Sequence, residues 1–220
     1  MKNVYIYCEG QTEETFIREL LYPYFFKLGI VVIPIICSTK TAVARKYKGG
    51  VSGYSKIRKE LMILCKSHSS GFITTMFDYY GMPNDTPGIG NQDADIFRRI
   101  NAIEAAIDAD IGMRNCSFHL MLHEFEGILF SDTSSFRLIA DTKTVEKIRA
   151  IRNAFPTPEH INNSYETAPS RRLVQLIPNY TKVRNGAILS KDMGIDVIMK
   201  ECPHFRDWID RISKISLASE

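Results

Sequence analysis

The sequence predicts an α/β fold, a mainly parallel sheet flanked by helices with a C-terminal helical extension. Three observations carry the sheet. From Asn3 to Leu122, strand-length apolar runs take turns with helix-length periodicities, the order that builds a parallel sheet covered on both faces. Ile30–Ile36 is apolar throughout, as a strand buried on both sides is. The chain has 220 residues, 45% hydrophobic and 24% charged, enough to fill a core without a disulfide or metal staple.

Asn3–Cys8 alternates and is rich in β-branched and aromatic residues, so it reads as the first strand. Glu9-Gly10-Gln11 breaks it. Thr12 is placed to cap a helix, with Glu13 and Glu14 in its first turn. Phe16, Leu20, Leu21 and Phe25 continue at helical spacing. Ile30–Ile36 is the second strand. Tyr54–Cys65 has helical periodicity, and Phe72–Phe77 is a third strand ending at Asp78. Tyr79–Asp93 holds prolines and glycines and reads as a loop. Asp93–Ala109 is a helix with Ile96, Ile100, Ile103 and Ile107 on one face, and Ser117–Leu122 is a fourth strand. Beyond Asp132 the expected helices are Thr144–Ala154, Ala168–Leu176, Ser190–Lys200 and His204–Ile215. The expected division is a core over residues 1–135 and a helical extension over 136–220.

No charged leader precedes a long apolar run, and no apolar stretch reaches the roughly 18–20 residues that span a bilayer. Five cysteines (Cys8, Cys37, Cys65, Cys116, Cys202) are dispersed with no CxxC pair, which suits reduced thiols. A cytoplasmic protein with no membrane partner is expected, with homo-oligomerisation left open.

Net charge is +3, too small to declare a nucleic-acid binder, but its distribution is uneven. Lys40, Arg45, Lys46, Lys48, Lys56, Arg58 and Lys59 occur with no acid between them, beside Gly49, Gly50 and Gly53. Such a loop can follow a phosphate backbone, although a solvated face is the plainer reading.

The acids are informative by position. Glu9 follows the first strand, Asp78 ends the third, and Glu124 and Glu126 follow the fourth. In a parallel sheet these ends share one edge, where ligands bind. Clustered carboxylates repel unless a cation sits among them, and hard oxygen ligands suit Mg²⁺ or Mn²⁺. Each acid also has a plain structural alternative: a helix-start residue for Glu9, Glu13 and Glu14, a turn residue for Asp78, an exposed strand end for Glu124 and Glu126. Other chemistry fits worse. There is no GxxxxGK[ST], no GxGxxG after a strand, no GxSxG elbow, and no second zincin histidine beside His123-Glu124. His119 and His123 read as structural, and Cys8 as a small core residue rather than a nucleophile.

At these residues the chain resembles a known superfamily. Tyr7-Cys8-Glu9-Gly10-Gln11-Thr12-Glu13 looks like the first motif of Toprim domains, and Glu13 matches the second Glu of the OLD-type and RloB-like branch. Phe77-Asp78-Tyr79-Tyr80-Gly81 resembles the next motif, Asp-x-Asp, except that Tyr80 stands in place of the second acid. Glu124-Phe125-Glu126 resembles that branch's later acid pair, and Lys182, in Ile177-Pro-Asn-Tyr-Thr-Lys182, its assisting lysine. Over nearly its whole length the chain is similar to a bacterial family known as domain-of-unknown-function family 4276.

The resemblance implies a metal-dependent nuclease cutting DNA or RNA phosphodiesters in a phage-defence system. Glu9, Glu13, Asp78, Glu124 and Glu126 would hold one or two Mg²⁺ or Mn²⁺ ions. Glu9 would alternatively serve as general acid or base, and Lys182 would steady the scissile phosphate. Nucleic acid would be gripped by Lys40, Arg45, Lys46, Lys48, Arg171, Arg172 and Arg184. It also implies a separately encoded ABC- or AAA-type ATPase partner, since no ATPase motif is present. The alternative is a non-catalytic metal-binding adaptor or sensor subunit of such a complex, which the Tyr80 departure favours.

Overall fold

The computed structural model describes residues 1–38, 53–162 and 167–215. Lys40, Arg45, Lys46 and Lys48 lie outside the described residues.

Four strands follow one another in parallel in the order β2-β1-β3-β4, with a fifth pairing β3. β1 (Lys2–Cys8) is central, between β2 (Ile30–Ile36) and β3 (Phe72–Asp78). Val4 pairs with Val32 on one side and Phe72 on the other. The fourth predicted strand is two short pieces, β4 (Cys116–Ser117) and β5 (Leu120–Met121), both parallel to β3. The gap holds Phe118 and His119, whose backbone N–H bonds the Thr75 hydroxyl at 2.8 Å instead of a ladder partner.

Alternation along β1 feeds two separate cores. Val4, Ile6 and Cys8 join Met76, Phe16, Phe25 and the C-terminal helices on one face. Tyr7 joins Ile73, Phe77, Leu61, Ile103 and Ile107 on the other. The helices of this second face are α3 (Tyr54–Ser67) and α4 (Ile96–Ile111). Asp95 caps α4 by accepting the amides of Phe97 and Arg98, and Gly112 ends it at φ 62°, a left-handed value that glycine adopts without penalty.

On the first face, α1 (Gln11–Phe16) passes through a π-type turn (Ile17–Leu21) into α2 (Tyr22–Lys27). Gly10, not Thr12, is the N-cap residue of α1, and no side chain caps it. A 3₁₀ stretch, Phe125–Ser131, leads from β5 towards α5 (Thr142–Asn153). Then come α6 (Pro169–Leu176), α7 (Lys182–Met193), α8 (Ile195–Glu201) and α9 (Pro203–Ser213). The helix expected over Ser190–Lys200 is broken at Gly194, whose φ of 76° no helix tolerates. The C-terminal helices share a continuous core with β1. Trp208 is fully buried, and its indole N–H donates to Thr74 Oγ1 of β3 at 2.9 Å.

Candidate active site

Glu9 is the first residue past β1, and Asp78 is the last of β3, so the parallel register brings both to the carboxyl edge of the sheet. Asp78 lies opposite Met121, so the chain leaving β5 passes this edge within three residues. Glu9 Oε1 accepts the backbone N–H of Asp78 at 3.3 Å. Asp78 Oδ1 accepts the N–H of Phe125 at 2.8 Å, which fixes the His123–Glu126 segment against β3. Glu124 Oε2 accepts the N–H of Ser170, at the start of α6, at 3.0 Å. Lys182 opens α7, and its Nζ meets Glu126 Oε2 at 3.0 Å. Three strand ends and two helix starts thus aim one lysine and five carboxylates at one locality.

The electrostatics are one-sided. Burial, with the charges of Glu9 and Glu126 behind it, pushes Glu13 up to about 7. Burial also pushes Asp78 well above the carboxylate range, helped by Glu9, Glu13 and Glu126, with Lys182 opposing. Glu126 rises for the same first reason, with Glu124 adding to it, although Lys182 opposes. Burial disfavours the charged form of Lys182, but Glu126 and Glu124 outweigh it and raise the ammonium. A single lysine therefore does not neutralise the group. Glu126 Oε1 is buried and accepts no hydrogen bond. An unpartnered buried carboxylate oxygen costs about 1–3 kcal/mol or more, and a cation would recover it. The donor set is all oxygen, as Mg²⁺ and Mn²⁺ prefer, so Glu9, Glu13, Asp78 and Glu126 suit such an ion by chemistry; their donor atoms do not form a group within 4.8 Å of one another, so binding would draw them together.

Tyr180, two residues before Lys182 in the Ile177–Lys182 motif, is a neighbour to which the sequence assigned no role. Its hydroxyl is buried without a hydrogen-bond partner, and burial, Glu126 and Glu124 all raise its pKa. Arg171 and Arg184 are exposed on α6 and α7, and Arg172 donates to Thr167 O at 2.6 Å. Cys8 is fully buried, and its thiol is pushed up to about 12 by burial and then by Glu13, so it is no nucleophile at neutral pH.

A second polar group lies in the core. Donor atoms of Glu104, His119 and His204 all fall within 4.8 Å of one another, and this is the one such His/Cys/Asp/Glu group among the described residues. By composition and spacing it could hold a metal. Its rings, however, stack: His119 is 4.8 Å from His204 at 21°, and 4.5 Å from Trp208 at 4°. An ion bound by two imidazoles lies near the plane of each, and stacked, near-parallel rings offer no good common point. Glu104 Oε1 instead accepts Leu120 N–H at 2.7 Å and meets His204 Nε2 at 3.0 Å. The pair behaves as ions: despite burial, the two histidines hold Glu104 down to about 2, and Glu104 raises His204 against burial.

A family model described as Domain of unknown function (DUF4276) matches residues 8–213. The chain belongs to that family. The match spans every acid of the rim, Tyr180 and Lys182, so the whole candidate site lies within the DUF4276 domain. No curated protein and no solved structure matches the chain. No helix among the described residues is long and apolar enough to cross a membrane.

Proposed function

We propose that this DUF4276 protein is a metal-dependent phosphodiesterase that cuts nucleic acid, DNA or RNA. One observation supports it above the others: acids from separate segments converge on the sheet's carboxyl edge, are driven towards their protonated forms by burial and by one another, and face one lysine. Perturbed groups of this kind cluster at functional sites.

A Mg²⁺ or Mn²⁺ ion bound by Glu9, Glu13, Asp78 and Glu126 would supply Lewis acidity and a more acidic water. The chain's own groups have separable tasks. The Phe125 amide and the Glu9–Asp78 contact keep Asp78 in place. Lys182 would exchange part of its pairing with Glu126 for a phosphate oxygen, where charge accumulates during displacement. Glu9 would alternatively act as general acid or base instead of holding the ion, as the resemblance implies. Arg171 and Arg184, both exposed, would meet the phosphate backbone. The phage-defence setting and a separately encoded ATPase partner belong to this proposal through the resemblance to OLD-type and RloB-like proteins.

The test is cleavage of plasmid, single-stranded DNA and total tRNA by the purified chain with Mg²⁺, Mn²⁺ or EDTA, beside a Glu9→Ala/Asp78→Ala variant. Metal-dependent cutting that the variant loses is the expected result. Equal cutting by the variant would contradict it. One observation favours the adaptor reading instead: Tyr80 stands in the place of a second acid, where its hydroxyl accepts from Asn162 and its ring lies 5.2 Å from that of His123 at 49°. Metal binding without cutting on any of these substrates would support that reading.

A further inference from the structure

A cavity of about 400 Å³ lies beside the acid rim, lined by Arg99, His123, Phe155 and His160 among others. It adjoins the rim through the peptide between His123 and Glu124. Tyr80 stands near both: its ring lies 5.2 Å from that of His123, its hydroxyl accepts from Asn162 of the cavity wall, and it feels the charges of both Glu124 and Arg99.

Three features of the lining point to a ligand. The first is His123. It sits at φ 64°, a left-handed value uncommon for a non-glycine residue, and such positions gather at functional sites. Its side chain is nine-tenths buried, and Nδ1 has no hydrogen-bond partner. The second is Arg99. Two of its guanidinium nitrogens donate to the Asp93 carbonyl, one at 2.9 Å, and it has no carboxylate partner among the described residues. The acid on this wall, Asp95, is committed to the first amides of α4. A pinned cation in a concave wall suits an anion. The third is Phe155, whose ring is flanked by the Arg172 guanidinium at 5.6 Å. An aromatic ring backed by a cation is a platform on which a flat heterocycle stacks.

We propose that this cavity takes one unstacked nucleotide of a single-stranded nucleic acid, next to the phosphate that the acid rim cuts. The base lies on Phe155, a phosphate meets Arg99, and His123 Nδ1 bonds the base edge or sugar hydroxyl. The residue that departs from the Toprim pattern, Tyr80, then stands near both sites. The substrate class follows: unpaired strands are bound ahead of duplex, because a paired nucleotide must first be unstacked. This rests on the phosphodiesterase reading for the rim but concerns separate residues.

The experiment is fluorescence anisotropy in EDTA with the full chain, using a labelled 12-nucleotide single strand, DNA and RNA, and the same sequence as blunt duplex. Adenosine monophosphate serves as competitor. The variants are Phe155→Ala, Phe155→Tyr, Arg99→Gln and His123→Gly, each with its thermal midpoint. The single strand should bind at least ~10-fold more tightly than the duplex. Phe155→Ala should weaken it about 5- to 150-fold, the range of base–aromatic stacking, with Phe155→Tyr restoring it. His123→Gly should weaken binding while leaving the midpoint unchanged or higher, because glycine accepts the left-handed conformation. A purely structural His123 would not separate those two readouts. Competition by the monophosphate that leaves the single strand no tighter than duplex would mark a pocket for free nucleotides and overturn the strand assignment. Equal single-strand and duplex affinity with unaffected variants, or no binding by the wild-type chain, overturns the inference outright. The two readings fail separately. Glu9-dependent cutting with inert cavity variants sinks the cavity alone. Binding lost in those variants, with no cutting under any metal, sinks the phosphodiesterase alone.

Discussion

Two buried charge clusters in this protein are built from similar residues and behave in opposite ways. Around Glu104 every charge meets its complement. The carboxylate accepts Leu120 N–H and pairs with His204, stays ionised down to about 2, and is walled by the Trp208–His119–His204 stack. At the sheet's carboxyl edge, Glu9, Glu13, Asp78, Glu124 and Glu126 share Lys182, and Glu13, Asp78 and Glu126 shift towards the neutral acid. Burial is common to both, so burial does not distinguish them. What differs is whether the fold supplies the counter-charge. Where it does, the cluster ties α9 to the sheet. Where it does not, a ligand must.

That contrast can be broken from either side. The largest effect expected is at Asp78. Asp78→Asn removes a repelled charge, so its thermal midpoint in EDTA should stay level or rise while cutting falls below detection in a plasmid assay. A loss of fold would instead put Asp78 with the structural cluster. Lys182→Gln should lower the cutting rate about 10²–10³-fold, as removal of one charge-stabilising donor does, with a smaller change in substrate affinity. In the other cluster, His204→Ala leaves Glu104 ionised without its partner and should cost about 3–5 kcal/mol in urea unfolding. The smallest effect concerns pH. The folded value of Glu13, about 7, lies above its ordinary 4.5, so its preference for the proton favours the fold below 4.5 and is lost as pH rises through 7. In EDTA the midpoint should decline across that window, by about 2–4 °C for each kcal/mol, and Glu13→Gln should flatten the slope.

The parts of this arrangement legible in the residues are those governed by short-range patterns. Alternation locates β1, an unbroken apolar run locates β2, and the acids at strand ends follow once the sheet is parallel. Gly194 is harder to read, because apolar spacing runs through it and a single glycine inside a helical pattern is often tolerated. The β4–β5 interruption depends on Thr75, far along the chain, capturing the His119 amide. The Glu104–His204 pair joins residues a hundred positions apart. Tyr180 lies in the Ile177–Lys182 motif, but nothing local in that stretch places its hydroxyl beside Glu126 and Glu124. His123 reads as a bland strand-end histidine, since neither its positive φ nor its bare Nδ1 has a local signature.

The central claim, that the rim's carboxylates lack a counter-charge that a divalent cation provides, is tested most directly by calorimetric titration of Mn²⁺ into the full chain at pH 7. Buffers of different ionisation enthalpy would be used, with Asp78→Asn and His204→Gln beside the wild type. Saturable binding with proton release to the buffer is expected, as the ion displaces the proton that Glu13 shares near pH 7, and it should be lost in Asp78→Asn and kept in His204→Gln. Absence of binding, or binding lost in His204→Gln and kept in Asp78→Asn, would contradict it and move the metal to the core.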